Sequence, residues 1–162
     1  MQYKRPKKNI NGILLLDKPH GFSSNQALQK VKWLLSAAKA GHTGTLDPLA
    51  TGLLPLCFGE ATKFAHYLTD ADKTYVATLK LGVTTNTGDA EGAVLSTQPV
   101  NATQAQFEAA CRLFVGEISQ TPPMYSALKF EGKAMYEYAR AGVEIARQPR
   151  AVMIHQIIVN AF

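Results

Sequence analysis

One imidazole and one carboxylate stand five positions apart, at His42 and Asp47, in the most irregular stretch of the 162-residue chain. The string Gly41-His42-Thr43-Gly44-Thr45-Leu46-Asp47-Pro48 mixes residues that loosen a backbone with one that stiffens it. Glycines open conformations closed to other residues. Pro48 fixes its own backbone and pushes Asp47 out of the helical region. The result is a stiff loop that presents a carboxylate, a group suited to nucleophilic or general-base work. No Lys-Ser or Lys-Thr follows the glycines, so the loop is not a Walker A motif. It lacks the Cys and His spacing of a zinc site and is not a G-x-S-x-G nucleophile elbow. An Asp-Pro pair taken alone reads as a turn opener.

The elements around this loop must hold it. Gly12 to Leu16 reads as a buried strand closed by the turn Lys18-Pro19-His20-Gly21. Ser23 and Ser24 offer an N-cap for a helix with apolar residues at Ala27, Leu28, Val31, Leu34 and Leu35. Ala40 to Gly52 is too irregular for an element. Leu53 to Phe58 reads as a core strand and Glu60 to Leu68 as a short helix. Thr74 to Leu81 alternates like a half-buried strand, with Tyr75, Ala77, Leu79 and Leu81 on one face. A polar turn from Thr84 to Gly92 precedes a helix at Ala105 to Val115. A Pro-containing connection then leads to a short helix at Tyr136 to Ala141 and a strand at Val152 to Val159. Strands that follow one another without crossover-length helices predict an α+β sheet with antiparallel pairs.

The chain carries 17 Lys and Arg against 12 Asp and Glu, a net charge of +5, which favours an anionic partner and nucleic acid first. The basic start, Lys4-Arg5-Pro6-Lys7-Lys8, reads as a solvated arm within reach of phosphates. Cys57 and Cys111 form no C-x-x-C pattern, so neither a disulfide framework nor a zinc site is expected, and a reducing cytoplasm is. No signal peptide or membrane-length apolar run stands out, so the expectation is a soluble protein.

The dodecamer from Gly41 to Gly52 resembles the active-site signature of the TruB family of tRNA pseudouridine synthases. Three more stretches resemble that family, in its order: Gly12 to Gly21, Asp72-Lys73-Thr74-Tyr75, and Pro122 to Lys129. The resemblance runs from about Asn11 to Phe162. It implies the pseudouridine-synthase fold, an α+β arrangement with a mixed, mainly antiparallel sheet flanked by helices. It also implies an isomerase of the bacterial type that converts the T-loop uridine at position 55 of tRNA to pseudouridine, with no cofactor and no metal.

Residue by residue, the resemblance makes Asp47 the nucleophile. Tyr75 would stack on the target uracil and His42 would contact the RNA beside the flipped base. Extruding a base costs a few kcal/mol, and stacking it on an aromatic ring returns roughly 1–3 kcal/mol. Lys18 and Pro19 would support the catalytic loop. An insertion at about 124–151 would clamp the T-arm with Tyr125, Lys129, Tyr136 and Arg140, and would be mobile until RNA binds. Asn86 departs from the family's usual aspartate, a turn substitution with little bearing on catalysis. The resemblance further implies that residues 1–162 are the N-terminal part of the catalytic domain. The arginine that pairs with the nucleophile and a C-terminal RNA-binding domain would lie outside this chain, which alone would be inactive.

The expected partner is therefore tRNA, met by a cytoplasmic monomer without a guide RNA or a membrane. Two alternatives stay open. One is the guide-RNA-dependent branch, which shares the Asp47 loop but usually carries a longer extension before the first motif. The other is an RNA-binding or RNA-folding module in which catalysis is lost.

Overall fold

The computed structural model describes residues 5–162, which group into two compact units, one running to Val76 and the other Ala77–Phe162. Residues 1–4, including Lys4 of the basic arm, lie outside the described residues. The first unit holds strand β1 (Gly12–Lys18), helix α1 (Ser24–Leu35), strands β2 (Ala40–His42) and β3 (Gly52–Phe58), a 3-10 turn (Gly59–Phe64) and helix α2 (Ala65–Asp70). The three strands form an antiparallel sheet in the order β1-β3-β2.

Alternation in β3 explains the core. Leu54, Leu56 and Phe58 point to one face and pack with Ala27 and Leu28 of α1 and with Ala37, while Leu14 and Leu16 of β1 lean on the same cluster. Leu56 has no exposed surface, and burying a leucine contributes about 1.5–3 kcal/mol. The other face of β1 is open: Ile13 and Leu15 are exposed, so this strand is half-buried rather than buried as expected. Ser23 caps α1 through a capping box with Gln26. Its core stripe consists of Ala27, Leu28 and Val31; Leu34 and Leu35 continue the apolar pattern but are exposed. Gly59 leaves β3 with φ +55°, and a Cβ there would collide with the Asn11 side chain and the Ile10 carbonyl.

The structure corrects the reading of Ala40 to Gly52 as wholly irregular. Its first residues form β2, which pairs Ala40 with Phe58 and His42 with Leu56. Three residues are too short to show a period in sequence, so only the partner strand reveals them. The expected helix at Glu60 to Leu68 is a 3-10 turn running into α2. The alternating segment from Thr74 to Leu81 forms no ladder among the described residues. Alternation states which face a strand would bury, but pairing requires a neighbour.

The second unit holds strands β4 (Val83–Thr85) and β5 (Val94–Thr97), helix α3 (Gln104–Arg112), strands β6 (Gly116–Gln120), β7 (Lys129–Phe130) and β8 (Lys133–Ala134), helix α4 (Met135–Arg140) and strand β9 (Arg150–Ile154). All its strand pairs are antiparallel, β4 with β5, β6 with β9 and β7 with β8. The architecture is α+β with antiparallel pairs, as the sequence predicts. The polar turn at Thr84 to Gly92 proves to be the end of a hairpin. Asn86 closes it, donating its backbone N–H to the Ala93 carbonyl at 3.1 Å and accepting the Ala93 N–H on its side-chain oxygen at 2.9 Å. An aspartate carboxylate could accept the same bond, so the substitution at Asn86 preserves the turn. Strand β6 falls where a connection was expected, and β9 begins two residues earlier and ends sooner than the pattern suggests.

Candidate active site

The loop between β2 and β3 is tied to the β1–α1 connection at the residues on either side of Asp47. Before it, Leu46 exchanges two bonds with Ser24, whose hydroxyl accepts the Leu46 N–H at 2.8 Å and donates to the Leu46 carbonyl at 3.2 Å. After it, the Pro48 carbonyl accepts the Gly21 N–H at 2.8 Å and a longer bond from the Lys18 ammonium at 3.5 Å. The loop's entrance is fixed as well, since Thr43 donates its backbone N–H and its hydroxyl to the Pro55 carbonyl. Within the loop the Ala50 N–H returns to the Asp47 carbonyl at 3.0 Å, closing a turn over Pro48. Gly52 then enters β3 with φ +117°, where a side chain would be strained.

Lys18 is fully buried, and its register partner across β1–β3 is Gly52, the last residue of the loop. Its ammonium donates to the carbonyls of Pro19 at 3.1 Å, Phe22 at 2.6 Å and Pro48 at 3.5 Å. Three donors thus meet three acceptors, the condition under which a buried cation without a carboxylate partner is tolerated. Ser24 and Thr43 are buried with it. Asp47 itself is exposed, and among the described residues its carboxylate makes no hydrogen bond or ion pair. The backbone is held while the carboxylate is left free.

His42 ends β2 half-buried, and its Nδ1 is buried without a hydrogen-bond partner among the described residues. Pro19 is exposed and contributes its carbonyl to Lys18. Tyr75 lies in the same unit on the unpaired segment, 68% exposed, and no hydrogen bond or ring contact joins it to the loop. Tyr125, Lys129, Tyr136 and Arg140 all fall in the second unit. There Arg140 stacks over the Tyr136 ring at 5.1 Å and Lys133 over Tyr138 at 4.8 Å, while α4 is tied back through Tyr136 N–H to the Ser126 carbonyl. Cys57 is buried in β3 and burial pushes its thiol up, which makes it a poor nucleophile. Among the described residues there is no cluster of three or more His, Cys, Asp or Glu positioned for a metal ion.

Sequence reasoning missed Gly21, Ser24 and Thr43 as loop anchors. The available signal was the doubled serine: one residue caps α1, so the other is free for a different task.

The sequence profile of TruB family pseudouridylate synthase (N terminal domain) matches residues 32–162, which include the whole loop. The chain belongs to the TruB family. It is 64% identical over its full length to a protein named tRNA pseudouridine synthase B from Methylobacillus flagellatus, covering 54% of that protein. It is 66% identical over 154 residues to the protein of the same name from Thiobacillus denitrificans, covering 95% of this chain and 52% of the relative. The chain therefore spans about half the length of the curated relatives it matches. Among solved structures, a crystal structure of a Cbf5-Nop10-Gar1 complex aligns with a TM-score of 0.50 and 27% identity, over 73% of this chain and 31% of that one. That likeness places the TruB chain on the pseudouridine-synthase fold.

The Ser24 anchor has a measurable consequence. Ser24→Ala in the intact protein removes both bonds to Leu46 and is expected to cost about 1–3 kcal/mol in urea unfolding. Faster amide exchange at Leu46 should accompany that loss. Unchanged stability and exchange would show that the loop is held without Ser24.

Proposed function

We propose that this chain is the N-terminal part of the catalytic domain of a cytoplasmic, monomeric tRNA pseudouridine synthase that isomerises the T-loop uridine at position 55 without a guide RNA. The observation that carries this reading is Asp47: an exposed, unpaired carboxylate whose neighbours Leu46 and Pro48 are both anchored. Two relatives named tRNA pseudouridine synthase B, at 64% and 66% identity, supply the substrate class. Among the described residues no helix is long and apolar enough to cross a membrane, which agrees with a cytoplasmic setting.

In this reading Asp47 attacks the flipped nucleotide and the bond from ribose to the base nitrogen N1 breaks; the base turns, C5 bonds to the ribose as the bond to Asp47 breaks, and C5 loses its proton while N1 takes one up. The product is an isomer of the substrate, so the reaction calls for no net oxidant, reductant or group donor. Lys18 and Pro19 hold the loop, His42 contacts the RNA beside the target, and Tyr75 stacks on the uracil. The exposure of Tyr75 suits a residue that meets a base rather than a core. Tyr125, Lys129, Tyr136 and Arg140 belong to an RNA-clamping insertion at about 124–151, whose exposed cations and aromatic rings match phosphates and bases. The remainder of the catalytic domain, with the arginine that pairs with Asp47, and a C-terminal RNA-binding domain belong to the part of the relatives that this chain does not span.

Asp47→Asn in the full-length protein is expected to cut C5 proton release from T-arm RNA by more than about a thousand-fold, with RNA affinity kept within a few-fold. Turnover by that variant would remove Asp47 from the chemistry. Tyr75→Ala, measured alongside, should slow the single-turnover rate far more than it weakens binding; equal losses in both would make Tyr75 a structural residue.

A further inference from the structure

The basic arm is not a free tail. Its backbone is pinned beside the end of α1: Lys8 N–H donates to the Ser36 carbonyl at 2.7 Å, and the Ala38 N–H donates to the Lys8 carbonyl at 2.9 Å. A parallel bridge joins Lys8 to Ala37. That anchorage places the Arg5 guanidinium 4.8 Å from the centroid of the Trp33 ring, and the Lys30 ammonium lies 5.5 Å from the same ring. Trp33 is 56% exposed. Residues 5–11 and 24–38 contain Arg5, Lys7, Lys8, Lys30 and Lys32 and not one Asp or Glu. The ion pairs Glu60–Lys63 and Glu144–Arg147 include none of these five cations.

We infer that Arg5, Lys8, Lys30 and Trp33 form a second contact surface for the RNA sugar-phosphate backbone, separate from the Asp47 loop. The inference rests on the proposed RNA substrate and adds where else that RNA is held. Charge complementarity argues for the occupant, because a patch of one sign with no internal pairing lowers its energy against phosphates. Stacking engages the guanidinium through its face and leaves its in-plane N–H donors open to a phosphate. The ordered arm pays in advance part of the entropy that binding would otherwise cost. Ser24, which anchors the loop, starts α1, and Lys30 and Trp33 follow six and nine residues later; at 1.5 Å per residue they lie roughly 9–14 Å along the helix from the loop anchor. The patch would therefore meet phosphates outside the flipped nucleotide and contribute affinity without touching the chemistry.

The test compares the full-length protein with its Arg5→Gln/Lys8→Gln/Lys30→Gln variant, using binding to a tRNA transcript at several salt concentrations and single-turnover C5 proton release at saturating tRNA. The substitutions sit on exposed residues, and an unchanged thermal midpoint verifies the fold. The expected result is about ten-fold weaker binding and a salt slope shallower by about 2–3, since each lost phosphate contact removes about 0.9. The rate at saturation should be unchanged, and Lys30→Arg should bind like the parent. Equal affinity and equal slope in parent and variant would overturn the patch while leaving the Asp47 reading intact. A parent that neither binds nor turns over tRNA would instead defeat the proposed function. Binding of the parent to anionic phosphatidylserine vesicles, lost in the triple variant while tRNA affinity stays the same, would reassign the surface to a membrane and also overturn the inference.

Discussion

A buried ammonium with no carboxylate beside it is costly, and here it is tolerated only because three backbone carbonyls surround it. Two of them, from Pro19 and Phe22, belong to the turn that follows β1; the third, from Pro48, belongs to the loop that carries Asp47. Lys18 therefore joins two segments 30 positions apart in sequence, and the geometry of the site depends on that junction. The Gly21 N–H converges on the same Pro48 oxygen, and Ser24 fixes Leu46 on the other side of Asp47. The loop needs glycine and proline to take its shape, and it needs these contacts to keep it.

This arrangement separates two demands that conflict in most active sites. A nucleophile must be positioned, which favours many contacts, and must be available, which favours few. The contacts here fall on the backbone of Leu46 and Pro48, and the Asp47 carboxylate stays exposed. The core supports the same end: Leu54 and Leu56 of β3 pack on α1, so the helix that supplies Ser24 and the strand that receives the loop share one core. Lys18 lies on the same face of β1 as Leu14 and Leu16, so the polar junction continues the apolar core at the end of one short sheet.

Much of this was legible in sequence, and the limits have physical causes. The Asp47 loop was readable because glycine and proline carry backbone information in the residue type itself. Helix α1 was readable from its cap and period, and β3 from its apolar run. Strand β2 was not, because three residues hold no period, and β6 was not, because Gly-Glu-Ile-Ser-Gln has a single strongly apolar residue. The segment around Tyr75 erred in the other direction: its alternation is genuine, yet pairing depends on a partner strand that a local pattern cannot report. Ser24 was seen only as a possible cap, since its bond to Leu46 spans 22 positions. The arm read as solvated proves pinned at Lys8, because main-chain bonds to Ser36 and Ala38 leave no trace in composition.

In the proposed function Lys18 acts on the reaction by holding the loop and not by touching the RNA. Lys18→Met in the full-length protein, followed by amide exchange at Leu46 and Ala50 together with C5 proton release and RNA affinity, tests it most directly. The expected result is faster exchange at both amides, a matching fall in the chemical rate and RNA affinity within a few-fold of the parent. A lost rate with unchanged exchange would contradict it, and would place Lys18 in the chemistry itself.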